Sequence, residues 1–145
     1  MVTEIELYQD NVPHGDVVLE YGDWNSSQDD IEVTASVGNT LYVSSISFAI
    51  DDSAAITAGS ISISGGGLSL SITDLNMLFM YASSMSVKRI TFNGSDYVTM
   101  GEILFYPPVQ ITEGNSFTIS ASGLTLTTGA VGPFFAIRGW EDTST

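Results

Sequence analysis

Ser60-Ile61-Ser62-Ile63-Ser64-Gly65-Gly66-Gly67-Leu68-Ser69-Leu70-Ser71-Ile72 decides the fold class. Hydroxyl and aliphatic side chains alternate strictly on both sides of three glycines. In an extended chain successive side chains point to opposite faces, so each run carries one aliphatic and one hydroxyl face. A helical period would scatter the same residues around a cylinder. Gly65-Gly66-Gly67 supplies the positive φ that a tight hairpin turn needs. The stretch therefore predicts two antiparallel strands joined by a glycine turn.

The same grammar extends in both directions. Further strands are expected at Thr3–Tyr8, Asp16–Tyr21, Ile31–Ser36, Leu41–Ile50, Val87–Phe92 and Tyr97–Phe105. Others follow at Ser116–Ser122, Leu124–Thr128 and Phe134–Trp140. Between them lie turn signals such as Val12-Pro13-His14-Gly15, Val37-Gly38-Asn39, Asn93-Gly94-Ser95, Glu113-Gly114-Asn115 and Gly129–Pro133. About ten short strands with regular punctuation predict an all-β protein, an antiparallel β-sandwich of jelly-roll type. No repeat, heptad or linker divides the chain, so residues 1–145 are read as one domain. The single break is Thr73–Ala82, where Thr73 or Asp74 can cap a start and Leu and Met favour helix. A short helix or tight loop is expected over 74–82.

Charge is distributed unevenly. The first 32 residues hold nine carboxylates (Glu4, Glu6, Asp10, Asp16, Glu20, Asp23, Asp29, Asp30 and Glu32) and no Lys or Arg. The span Ser53–Gly101 sets only Asp74 and Asp96 against Lys88 and Arg89. A net charge of -14 argues against nucleic acid, whose affinity for proteins comes largely from Lys and Arg on phosphates, and against anionic membrane surfaces. No apolar run approaches the roughly 18 residues of a membrane span, and the N-terminus lacks the basic and apolar regions of a signal peptide. The absence of Cys removes disulfides and thiolate chemistry.

Catalytic constellations are missing. The one His, His14, has no partner motif for a Ser-His-Asp arrangement, and a single nitrogen donor cannot build a zinc site. Asp29-Asp30, Asp51-Asp52 and Glu141-Asp142 are adjacent pairs at strand ends, where neighbours point apart instead of converging on a glycosidic bond. No enzyme activity and no cofactor are expected. Asp51 and Asp52 are weak calcium candidates, since hard cations take clustered loop oxygens, but no complete calcium-loop pattern surrounds them.

Two binding surfaces compete. Met77-Leu78-Phe79-Met80-Tyr81 has no polar position, so a short helix there is expected to be buried all round, by its own domain or by a neighbouring chain. Methionine adapts to irregular contacts, which makes Met77, Phe79, Met80 and Tyr81 candidate subunit-contact residues. The alternative is a carbohydrate-binding module with an exposed aromatic platform. Trp24, in the polar Gly-Asp-Trp-Asn-Ser loop, is its first candidate, followed by Trp140, Tyr81, Tyr97 and Tyr106.

Three stretches resemble small jelly-roll proteins that decorate tailed-phage capsids. Leu41–Asp52 is similar to their long early strand ending in an acidic turn. Pro107–Leu124 resembles a Pro-led strand, an acid-Gly-polar turn and an alternating strand. Phe134–Asp142 is similar to their aromatic-rich closing strand. The resemblance implies a non-enzymatic capsid decoration, or cement, protein on the virion surface. It would often be a homotrimer seated on the major capsid protein. No site residue is carried over by it, because such proteins act through surfaces. The acidic N-terminal segment would then lie outward or run over a basic stretch of a neighbouring subunit.

Overall fold

The glycine hairpin forms as expected. β4 (Ala55–Gly65) and β5 (Leu68–Ile72) pair with Ile61 opposite Ile72, Ile63 opposite Leu70 and Gly65 opposite Leu68. Ile61, Ile63 and Ile72 are fully buried, while Ser69 and Ser71 on the alternate face are exposed. Gly66 and Gly67 both have positive φ, as a two-residue hairpin turn requires. A Cβ on Gly66 would also lie 2.5 Å from the carbonyl oxygen of Gln110, so this turn packs directly onto the opposite sheet.

The computed structural model describes residues 17–24, 27–92, 96–127 and 132–143. The expected strand over 3–8, the His14 turn and the turn at 93–95 lie outside them. The remaining elements are β1 (Val17–Asp23), β2 (Ile31–Thr34), β3 (Asn39–Asp51), α1 (Asn76–Tyr81), β6 (Lys88–Phe92), β7 (Asp96–Ile111), β8 (Ser116–Thr127) and β9 (Phe134–Thr143). They form a five-stranded sheet in the order β1-β9-β3-β7-β6 and a four-stranded sheet in the order β2-β8-β4-β5. Every pairing is antiparallel. The all-β antiparallel sandwich read from the alternation is what the chain forms.

One apolar cluster fills the space between the sheets. Ile61, Ile63, Phe117 and Ile119 of the smaller sheet meet Leu41, Val43, Ile46, Phe48, Phe135 and Ile137 of the larger one. Burial of such side chains, each stabilising by about 1.5–3 kcal/mol, is the main force holding the layers together. Trp24, on the crossing from β1 to β2, closes one end. Its ring meets Phe135 edge-on at 5.3 Å between centroids.

Two strand boundaries differ from expectation. Ser116–Ser122 and Leu124–Thr128 were expected as separate strands, but 116–127 is one strand carrying a bulge. Ala58 faces Thr125 and Ser60 faces Ser122, so two residues of β8 oppose the single Gly59. β7 likewise continues past Phe105 to Ile111. Its ladder with β3 is interrupted there, because Leu104 pairs with Ser45 and Val109 with Val43. Phe105–Pro108 thus form a four-residue excursion opposite Ser44. Proline donates no hydrogen bond, and Pro107 and Pro108 fall where the ladder asks for none.

Candidate functional site

The excursion in β7 opens a groove on the outer face of the five-stranded sheet. Leu41 and Val43 point into the core, so Tyr42 between them points outward. Across the ladder it faces Trp140 of β9 on one side and Gln110 of β7 on the other. The Tyr42 and Trp140 rings stack, with centroids 5.3 Å apart and planes 13° from parallel. Gly139 makes this approach possible, since a Cβ there would collide with the Tyr42 carbonyl oxygen. Trp140 Nε1 donates to the Asp142 carboxylate at 3.2 Å, which fixes the indole's orientation.

The other wall is the excursion itself. Phe105 turns inward and meets Phe117 edge-on, anchoring the segment to the core. Leu104 and Tyr106 turn outward, and Tyr106 is 98% exposed. Together with Pro108 these residues enclose an open groove of about 630 Å³ whose lining carries no charged side chain. The volume is that of an ordinary small-molecule site.

Near the other end of the same face lies a depression of about 440 Å³. Its lining includes Met85, Lys88, Met100, Glu102 and Phe134. Glu102 is tied down there. Its side chain accepts from the Ser45 and Ser47 hydroxyls at 3.1 and 3.4 Å, and its N–H donates to Ser86 Oγ at 2.9 Å. Met85 is 90% exposed, and exposed apolar side chains run from Met80 and Tyr81 through Met85 to Val87.

The segment Met77–Tyr81 was expected to be buried all round, by its own domain or by a neighbouring chain, and burial by its own domain alone is corrected. It forms α1, preceded by Asp74, whose side chain accepts the Asn76 N–H at 2.9 Å. Leu78 is fully buried and Phe79 meets Phe48 edge-on at 5.4 Å, so one side of the helix plugs the core. Met77 is half-buried against the same cluster. Met80, 81% exposed, and Tyr81 lie on the other side. Of the four proposed contact residues, only Met80 and Tyr81 therefore present themselves to a partner. The five residues Met77–Tyr81 carry two unlike sides even without a polar position among them, because one side packs on the core and the other faces away from it.

Trp24 is also corrected. Only 3% of it is exposed, and its Nε1 donates to the Asp29 carbonyl at 2.9 Å. Satisfying the indole N–H on the backbone makes a polar loop compatible with a buried ring, so Trp24 is a lid and offers no platform. Of the other aromatic candidates, Trp140 and Tyr106 meet in the groove. Tyr97 instead lies under the Arg89 guanidinium, 4.1 Å from its ring centre, and Tyr81 sits on α1.

The two calcium candidates are used by the chain itself. Asp51 is buried and accepts from the Ser53 N–H and hydroxyl at 2.8 and 2.6 Å. Asp52 pairs with Arg89 and accepts from Thr99 Oγ1 at 3.0 Å. Among the described residues no group of three or more His, Asp or Glu side chains is placed to hold a metal, and no helix is long and apolar enough to cross a membrane.

Tyr42, Leu104, Gln110 and Met85 were not singled out from the sequence. Tyr42 had a usable signal: in Leu41-Tyr42-Val43 it stands on the face opposite two aliphatic residues. Its meeting with Trp140 depends on pairing across 98 positions and leaves no local trace. No family model, no curated protein and no solved structure significantly matches this chain.

Proposed function

We propose that this chain is a non-enzymatic structural protein of a virus particle. It would sit on the capsid surface as a decoration protein, bound to the major capsid protein. The observation that carries the reading is the exposed apolar run Met80, Tyr81, Met85 and Val87, at one edge of a molecule that is otherwise strongly acidic. This run lies within the formally neutral span Ser53–Gly101, so docking it would desolvate few charges.

Strand order supports a jelly roll. With β6 set aside, β1 pairs with β9, β2 with β8, β3 with β7 and β4 with β5. Such nesting is what a long antiparallel hairpin leaves when it is rolled into two four-stranded sheets. Each copy would bury its apolar edge against the shell and bind only the assembled state, stabilising it by mass action. A homotrimer would place three such edges around a shared axis.

The test has two measurements. Antibodies against the purified chain are applied to virus-like particles from the producing culture, and the mass of the free protein is measured by light scattering. Labelled shells and a mass of three chains are expected. A monomer whose antibodies label no particle would overturn the reading.

A further inference from the structure

We propose a second binding site, distinct from the docking edge and beyond the decoration reading: the groove between Tyr42, Trp140 and Tyr106 takes a neutral oligosaccharide. A pyranose ring has a face of C–H bonds and a rim of hydroxyls. The C–H face lies well on an electron-rich aromatic ring, and the rim needs hydrogen-bond partners. The groove offers both. The Tyr42–Trp140 stack presents an aromatic surface held rigid by the Gly139 approach and by the Asp142 carboxylate on the indole N–H. Gln110, exposed on β7, and the phenol of Tyr106, 98% exposed, supply donors and acceptors at the edge.

Charge narrows the ligand to a neutral one. The lining holds no Asp, Glu, Lys, Arg or His, and the Asp142 carboxylate accepts the indole N–H of Trp140 beside it. In a chain of net charge -14 an acidic glycan would be repelled, while nothing in the lining selects a cation. Two other occupants fit less well. An apolar protein segment would bury the Gln110 amide without a partner, which costs more than leaving it wet. A second copy of this chain would find in the lining no charged group to pair with its own acidic surface.

Calorimetric titration of the full chain with cellohexaose, maltohexaose and chitohexaose tests this, with an oligogalacturonate of equal length as the acidic counterpart. Saturable binding to at least one neutral hexamer is expected, with a dissociation constant below about 1 mM. Trp140→Ala and Tyr106→Ala should each weaken it at least about tenfold. Tyr106 is so exposed that its variant leaves the fold intact, and Met85→Ser at the other end should change nothing. Several results would overturn the proposal: no saturable heat with any neutral hexamer, equal affinity for the acidic one, or binding unaffected by Tyr106→Ala. So would two others. Uptake of an apolar peptide in place of every sugar would assign the groove to a protein partner. A dimer abolished by Tyr106→Ala would assign it to a second copy.

Discussion

Glu141 shows how a single exposed carboxylate can hold two elements together. It stands on β9, and its two oxygens accept from the Ser36 N–H at 2.5 Å and the Ser36 hydroxyl at 3.2 Å. The backbone N–H of Ser36 is the main reason its pKa lies below the ordinary 4.5, reinforced by the Ser36 hydroxyl and Asn39 and opposed by partial desolvation. A carboxyl whose folded pKa is depressed favours the folded state once it is ionised. That contribution is complete above 4.5 and disappears as pH falls through the lower folded value. Glu141→Gln keeps the shape and removes the charge. Urea unfolding should therefore find the variant less stable than wild type near neutral pH, with the difference closing at acid pH below the lowered folded value. A difference of equal size at both pH values would show that ionisation is irrelevant and that only packing was changed. Because the group is solvent-exposed, screening keeps the effect small.

At the scale of elements, α1 makes the sharpest distinction between core and surface. Leu78→Ala would empty a fully enclosed site under the helix and should cost about 2–5 kcal/mol in denaturant unfolding. Met80→Ser, two residues on, faces solvent and should change stability by less than about 0.5 kcal/mol. Similar losses for both would mean that Met80 is buried in solution, and the apolar edge would no longer be free for a partner. The helix also marks how far local pattern reaches. Its place between two strands was legible from Asp74 and the Leu-Met run, as the β4–β5 hairpin was from strict alternation about three glycines. Its two-sidedness was not, because that depends on which side packs on the core. The bulge in β8 and the continuation of β7 through Pro107-Pro108 were hidden for a related reason. A glycine or proline reads locally as a stop, whereas a neighbouring strand can absorb it as a bulge or an unpaired excursion. The aromatic groove was half legible: Trp140 and Tyr106 stand out by residue type, but their convergence on Tyr42 is set by long-range register.

At the scale of the whole molecule, the exposed apolar residues Met80 to Val87 fall in a span of low net charge, and this decides how binding through them should respond to salt. Of the described carboxylates, Glu20, Asp23, Asp29, Asp30 and Glu32 belong to the acidic N-terminal part, whereas Met85 and Val87 are followed directly by Lys88 and Arg89. Arg89 is already paired with Asp52 and stacked over Tyr97, so little net charge is left near that edge to steer a partner. Docking through the edge is then driven by removal of apolar surface from water, which salt does not screen. Docking through the acidic segment onto a basic subunit would be Coulombic, and at 1 M salt the screening length shrinks to about 3 Å. Raising sodium chloride from about 0.05 M to about 1 M should therefore leave particle binding unchanged or tighten it, since repulsion among crowded acidic copies is relieved at the same time. Met85→Ser with Met80→Ser should weaken binding at either salt concentration. Release of the protein from particles at high salt, with the double variant binding normally, would move the contact from the neutral edge to the acidic segment. The two outcomes differ in sign, so co-sedimentation at two salt concentrations is enough to separate them.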